Sequence, residues 1–375
     1  MGRSVPPKRD CTDSGPLTLS LGPFAAKEAA QDFGRRAPPR LRLRLRPLDA
    51  STCYSGGILP LSEKSLIARI RSRASGRKGV IIGIGDDCAI LRVPTGHETL
   101  VTTDFSLEGI HFKREWHPPE VVGHRCLVRG LSDIAAMGGE PIAAFLSLAL
   151  PKKLPQIWVD RLLAGLLKLA RQCNVALAGG DTAESPTGIF ADIVVVGSAP
   201  KGKAIRRSGA RQGDRIYVTG ELGGSAATLD RLSSRSKLRV DDSPRHFHPV
   251  PRLKIGTWLR DHGVASAMID ISDGLSTDLA HICEESGVGA EVHADAIPRA
   301  RIGRPACKVD LTFALHGGED YELLFTAPTG RSVPDKIAGV PATEIGQIHR
   351  GHSLYLISHG QRTELKPKGW QHFER

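Results

Sequence analysis

The sequence predicts an α/β (α+β) protein of two domains behind a polar extension. Three observations carry this. At 375 residues, 40% hydrophobic and 24% charged, the chain can bury two cores. From residue 61 onward, short apolar runs of strand length alternate with amphipathic stretches of helical length. Acidic residues recur beside these strand-like runs, several of them next to glycine, in five clusters. The expected boundaries are an extension over 1–58, an N-terminal domain over 59–204 and a C-terminal α/β domain over 205–375.

Composition narrows the partners. The net charge is +11; residues 1–58 hold ten basic and five acidic side chains, so the body is only mildly basic. That suits anionic substrates such as nucleotides and does not require nucleic acid. Aromatic residues are 5% of the chain, too few for a base-stacking surface. The longest apolar run, Ile142 to Leu150, is too short to span a bilayer. Seven cysteines stand at irregular spacing without a C-x-x-C pair, which favours free thiols in a reducing cytoplasm.

Residues 1–58 are rich in Pro, Gly, Ser and Arg and lack helical periodicity, so they are expected to be a disordered extension without a catalytic role. Leu41 to Arg46 alternates like an edge strand. Arg35-Arg36 has no apolar stretch after it, as an export signal would.

Ser62 caps an expected helix through Arg71, with Leu66, Ile67 and Ile70 on one face. Val80 to Ile82 reads as a strand that turns at Gly83 and Gly85 into Asp86-Asp87. Leu100 to Thr102 reads as a second strand, ending at Thr103-Asp104. Val121 to Met137 is an expected helix stopped by Gly138-Gly139, with Leu127, Leu131 and Ile134 on one side and Asp133 beside them. A buried strand over Ala143 to Leu150 and an amphipathic helix over Trp158 to Cys173 follow. Val175 to Ala178 is expected to end at Gly179-Gly180-Asp181-Thr182, and Ile193 to Gly197 continues the sheet.

In the second half, Arg206-Arg207 precedes a turn and a strand over Ile216 to Thr219; the pair reads either as a solvated turn or as a phosphate clamp, because paired guanidinium groups suit phosphate oxygens. Gly223-Gly224 opens a helix. His246 and His248, between prolines, read as a turn with two solvated histidines. A strand ends at Asp270, and Ser272 is an expected N-cap with Asp273 in the first helical turn, where an acid favours the helix dipole. That helix closes at Gly287. Gly317-Gly318-Glu319-Asp320-Tyr321 leads into a strand over Glu322 to Thr326, and Leu354 to Ile357 is the last strand.

The acids set the chemistry. Two carboxylates 4 Å apart repel by about 4 kcal/mol at an effective dielectric near 20. Asp87, Asp104, Asp133, Asp181 and Asp270 therefore need a counter-charge wherever they converge. No Cys or His stands at ligand spacing beside them, so zinc does not fit; Mg²⁺ with oxygen ligands and substrate phosphates does. Several Mg²⁺ ions with a nucleotide and a second anion make a phosphoryl-transfer site. No P-loop, protein-kinase set or G-x-G-x-x-G fingerprint is present.

Seven motifs in this order, G-I-G-D-D-C-A, T-T-D-x-x-x-E-G-I-H-F, L-S-D-I-A-A-M-G, G-G-D-T, R-S-G, I-D-I-S-D-G-L and G-G-E-D-Y-E-L, resemble the thiamine-monophosphate kinase family across residues 61–373. The resemblance implies the two-domain aminoimidazole ribonucleotide synthetase-like fold, each domain a mixed sheet covered by helices, with ATP in the cleft. It implies phosphorylation of thiamine monophosphate by ATP, a homodimer, and neither nucleic-acid nor membrane partners. Asp87, Thr102, Thr103, Asp104, Asp133, Asp181, Asp270 and Asp273 are the implied Mg²⁺ ligands. Five of these, Asp87, Asp104, Asp133, Asp181 and Asp270, form the catalytic set. Gly180, Arg207 and Ser272 are the implied ATP contacts; His111, Glu319 and Trp370 are those to thiamine phosphate. The rival within the superfamily is an ATP-dependent synthetase that works through a phosphorylated intermediate. Neither a reactive cysteine in a glycine-rich N-terminal setting nor a C-terminal cysteine, which two such relatives need, is present.

Overall fold

The computed structural model describes residues 61–234 and 238–369. The extension, the Leu41 to Arg46 alternation and Trp370 lie outside the described residues. The first half runs α1 (Glu63–Arg73), β1 (Val80–Ile82), β2 (Ile90–Leu91), β3 (His97–Leu107), α2 (Pro119–Ala136), β4 (Glu140–Pro151), α3 (Gln156–Gln172), β5 (Ala176–Ser185) and β6 (Phe190–Pro200). The second runs β7 (Arg215–Thr219), α4 (Gly224–Ser233), α5 (Pro244–Phe247), α6 (Leu253–Asp261), β8 (Ala267–Asp270), α7 (Leu275–Ser286), β9 (Gly289–His293), β10 (Arg301–Ile302), β11 (Cys307–Lys308) and α8 (Leu311–His316). It ends with β12 (Leu323–Ala327), β13 (Lys336–Ile337), β14 (Val340–His349), β15 (Leu354–Ser358) and β16 (Gln361–Glu364).

The first sheet has the order β3-β6-β4-β5, with β4 and β5 parallel and the other pairs antiparallel. Alternation along β4 and β6 sends Leu146, Leu148, Ile193 and Val195 to one face, where they form a core with Leu127, Leu131 and Ile134 of α2 and Leu162 and Leu166 of α3. Each such fully buried side chain stabilises the fold by about 1.5–3 kcal/mol. The two helices meet backbone to backbone: a Cβ on Gly123 would lie 1.9 Å from Leu162 O, and one on Gly165 would lie 1.9 Å from Glu120 O.

The second sheet has the order β16-β15-β9-β14-β7-β12-β8, with β13 on β14; its one parallel pair is β9 and β15. Ile216, Val218, Ile269 and Leu324 pack beneath Leu275, Leu279 and Ile282 of α7. Tyr217, Met268 and Phe325 point the other way, into a core with Ile255 and Leu259 of α6 and Ala135 of α2. Helix α2 thus contributes to the cores of both sheets, which is why its side chains reach residues from each.

Several local expectations are corrected. β3 does not end at Asp104 but runs to Leu107, paired with β6 throughout. β5 does not end at Ala178; parallel pairing to β4 continues through Gly179–Thr182 because glycine lets the backbones approach. Ser272 is not the N-cap of α7. Gly274 is, at φ 120°, and the Asp278 carboxylate accepts the Asp273 and Gly274 N–H groups at 3.2 and 2.9 Å. Asp273 therefore precedes the helix instead of serving its first turn. His246 is fully buried, its Nε2 2.9 Å from Nε2 of buried His117; only His248 is exposed, as expected.

Candidate active site

A cavity of about 620 Å³ is bordered by Asp104, Asp133, Asp270, Asp273, His111 and Glu319. Asp104 reaches it because β3 alternates: Leu100, Thr102, Asp104 and Ser106 face α2, while Val101, Thr103 and Phe105 face away. On α2, Arg125, Arg129 and Asp133 recur every fourth residue and so share one face. Asp270 ends β8 and accepts a hydrogen bond from Ser132 Oγ at 2.6 Å. Ser272 also lines the cavity, and its carbonyl accepts the Glu319 N–H at 2.8 Å. His111 Nδ1 accepts the Leu107 N–H at 3.0 Å.

Glu319 is held by two arginines of α2. Arg125 donates to it at 2.5 Å and Arg129 donates to its other oxygen. Burial works to raise the Glu319 pKa, but Arg125 and Arg129 outweigh it and hold the carboxyl below its usual range. The aspartates behave oppositely. Burial, opposed by Arg129 and reinforced by Asp133 and Asp273, pushes Asp104 up to about 6. Burial and then Asp133 push Asp270 up to about 7. Asp133 is raised by burial, against the hydroxyl of Thr102 that donates to it and the nearby charges of Arg207 and Arg129. The cavity therefore holds negative charge at a penalty that a cation would relieve. The four aspartates offer it oxygen ligands, as Mg²⁺ prefers. Among the described residues, no three His, Cys, Asp or Glu side chains stand ready to enclose one ion.

The expected site residues do not all meet. Asp87, Asp181 and Gly180 line a second cavity of about 710 Å³, with Gly83 and Gly85 of the turn after β1. Thr103 lies on the opposite face of β3 from Asp104 and donates to Asp192 at 2.7 Å. Arg207 acts on Asp133 through its charge and lines neither cavity. Conversely, Arg129, Tyr321, His316 and Lys368 line the first cavity and were not anticipated. The Arg125, Arg129, Asp133 spacing was the available signal for Arg129; the apolar periodicity of α2 masked it.

Comparison with known proteins gives a consistent picture. The AIR synthase related protein N-terminal domain matches residues 85–199, and the C-terminal domain of the same description matches 211–358. Thiamine-monophosphate kinase of Salmonella typhimurium is 40% identical over 324 residues, 83% of this chain and 98% of its own. The crystal structure of thiamine-monophosphate kinase from Stenotrophomonas maltophilia K279a superposes with a TM-score of 0.69 at 34% identity, covering 81% of this chain and 98% of that one. A structure described as AaThiL complexed with AMPPCP and TMP gives 0.66 at 32% identity, over 75% and 89%.

Proposed function

The chain belongs to the AIR synthase related family and, within it, to the thiamine-monophosphate kinases, and we propose that it makes thiamine diphosphate by direct, Mg²⁺-assisted transfer. An oxygen of the thiamine phosphate attacks the γ-phosphorus of ATP; the bond to the β,γ-bridging oxygen breaks and ADP leaves. A phosphate monoester has its second pKa near 6, so the attacking oxygen is already ionised at neutral pH and no general base is required. In-line transfer then needs positioning and charge neutralisation.

The observation that carries this is the 620 Å³ cavity, where Asp104, Asp133, Asp270 and Asp273 meet His111 and Glu319. Mg²⁺, when bound, would supply positive charge to the phosphate oxygens; it commonly uses one or two carboxylates and keeps waters, which suits acids that do not form a closed cage. We assign Asp104, Asp133, Asp270 and Asp273, with Asp87 and Asp181 of the second cavity and Thr102 and Thr103, to that role. Gly180, Arg207 and Ser272 serve ATP, and His111, Glu319 and Trp370 serve thiamine phosphate.

A homodimer is part of this reading. The first sheet leaves Val101 and Phe105 66% and 60% exposed on the face away from α2, beside partly covered Val194, Val196 and Phe145. A second copy covering this face would remove them from water. We place the enzyme in the cytoplasm, which suits the five free cysteines among the described residues. No helix among the described residues is long and apolar enough to cross a membrane.

The test is purified full-length chain with ATP, Mg²⁺ and thiamine monophosphate, product resolved by chromatography. Thiamine diphosphate and ADP in equal amounts are expected. No thiamine diphosphate, with turnover of an aminoimidazole precursor instead, would overturn the proposal.

A further inference from the structure

Among the described residues that line the 620 Å³ cavity, Tyr321 is the only one with a buried side-chain polar atom that has no hydrogen-bond partner. The residue is 2% exposed, and its ring belongs to the core beneath the first sheet. Buried hydroxyls are normally satisfied, and one that is not is destabilising. The backbone is unusual at the same place. Tyr321 has φ 52° and Glu319 φ 65°, left-handed values that bulky residues avoid.

These conformations are imposed from several sides. Glu319 N–H donates to Ser272 O at 2.8 Å and Tyr321 N–H donates to Ile271 O at 2.9 Å. Between them, the Asp320 carboxylate accepts the Gly223 and Ser225 N–H groups at 2.6 and 3.2 Å. Two strained residues and an unanswered donor thus sit on one short turn at the cavity wall. Strain and unsatisfied groups concentrated this way mark functional positions.

The charges acting on the phenol are Arg129, Glu319, Arg125 and Asp104, and burial keeps it protonated. It is therefore a neutral donor. Arg129 and Arg125, the nearby cationic donors, are already engaged by Glu319. A neutral O–H adds a hydrogen bond to an anion without disturbing that balance.

We propose that Tyr321 is a substrate-contact residue whose hydroxyl donates to an oxygen of a phosphate group bound in this cavity. The inference rests on the kinase reading and extends it by one residue. The hydroxyl is shielded from water in the free chain, so the contact forms as the walls adjust around the substrate. The phosphate belongs either to ATP or to thiamine monophosphate, and the two have separable signatures.

The experiment is Tyr321→Phe, which removes one oxygen and keeps the ring. Thermal melting is measured for both proteins alone, with a non-hydrolysable ATP analogue, and with thiamine monophosphate; KM is measured for each substrate. The expected result is a melting temperature without ligand that is equal or higher, since an unsatisfied group is gone. The KM of one substrate rises about tenfold, the usual weight of a hydrogen bond to a charged group, and that ligand's stabilisation shrinks. Which substrate responds identifies the phosphate. Unchanged KM values and unchanged ligand-induced shifts would overturn the proposal, whether or not the free protein is stabilised. If wild-type protein makes no thiamine diphosphate, the kinase reading fails; the melting shifts still report on the contact by themselves.

Discussion

Arg129 Nη1 lies 3.8 Å from Asp104 Oδ1, and the same guanidinium donates to Glu319. One cation on α2 therefore serves a carboxylate expected to face metal and another expected to face substrate. Arg129→Met should leave Asp104 without its cation and Glu319 with Arg125 alone. Removing one partner of a buried ion pair destabilises by roughly 3–5 kcal/mol, and kcat/KM for thiamine monophosphate should fall at least about a hundredfold. Urea unfolding and steady-state kinetics check both; stability within about 1 kcal/mol of wild type would show that the pair is not structurally significant.

Asp104→Asn and Asp181→Asn probe the two cavities separately. Each removes one charge and keeps the side-chain shape. Asp104→Asn should lower kcat by about a hundredfold or more, raise the Mg²⁺ concentration for half-maximal rate, and leave the metal-free melting temperature unchanged or higher, because like-charge repulsion is relieved. Asp181→Asn should raise the Mg²⁺ and ATP requirements. Wild-type rates at low Mg²⁺ in both variants would make the acids structural.

Much of the first cavity was legible in the sequence because its acids stand on or beside recognisable elements. Asp270 ends β8, and Asp133 lies beside the apolar stripe of α2. Strand parity also separates Thr103 from Thr102 and Asp104, but only once β3 is known to run through them. What the sequence lacks is distance between elements: nothing local says that Asp87 and Asp181 line a different cavity from Asp104. Burial of His246 was hidden for a similar reason. The prolines beside it signal a turn, whereas its partners His117 and Ser225 are distant in sequence.

Asp320 gives the protein a pH dependence of its own. Burial pushes its carboxyl up to about 7, against the N–H groups of Gly223 and Ser225. The folded state thus binds this proton more tightly than the unfolded state. The contribution is fully present below the unfolded carboxylate range and is lost as pH rises from about 4 through about 7. Asp320→Asn cannot titrate and keeps one acceptor oxygen. Its melting temperature should vary less with pH than that of wild type, with the difference shifting in favour of the variant between pH 5 and pH 8. Parallel melting curves for the two proteins across that range would show that Asp320 stays ionised.

Gly180 is a test of backbone approach. It lies in β5 opposite Leu146 of the parallel strand β4, with φ 143°, and a Cβ there would stand 1.8 Å from Leu146 O. No real Cβ tolerates that distance, so Gly180→Ala must push β5 away from β4 or break their pairing. β5 is an edge strand that carries Asp181 directly after Gly180, so any displacement moves that carboxylate too. The expected loss is about 2–4 kcal/mol in urea unfolding, the range of severe backbone and packing changes, with a weaker response to ATP. Gly76→Ala is the control: nothing lies within 4 Å of its added Cβ, and its backbone is unremarkable. That substitution should be neutral or slightly stabilising. Equal unfolding midpoints for the two variants would show that the strands can yield at Gly180 without loss, and that the glycine is not needed for the close approach.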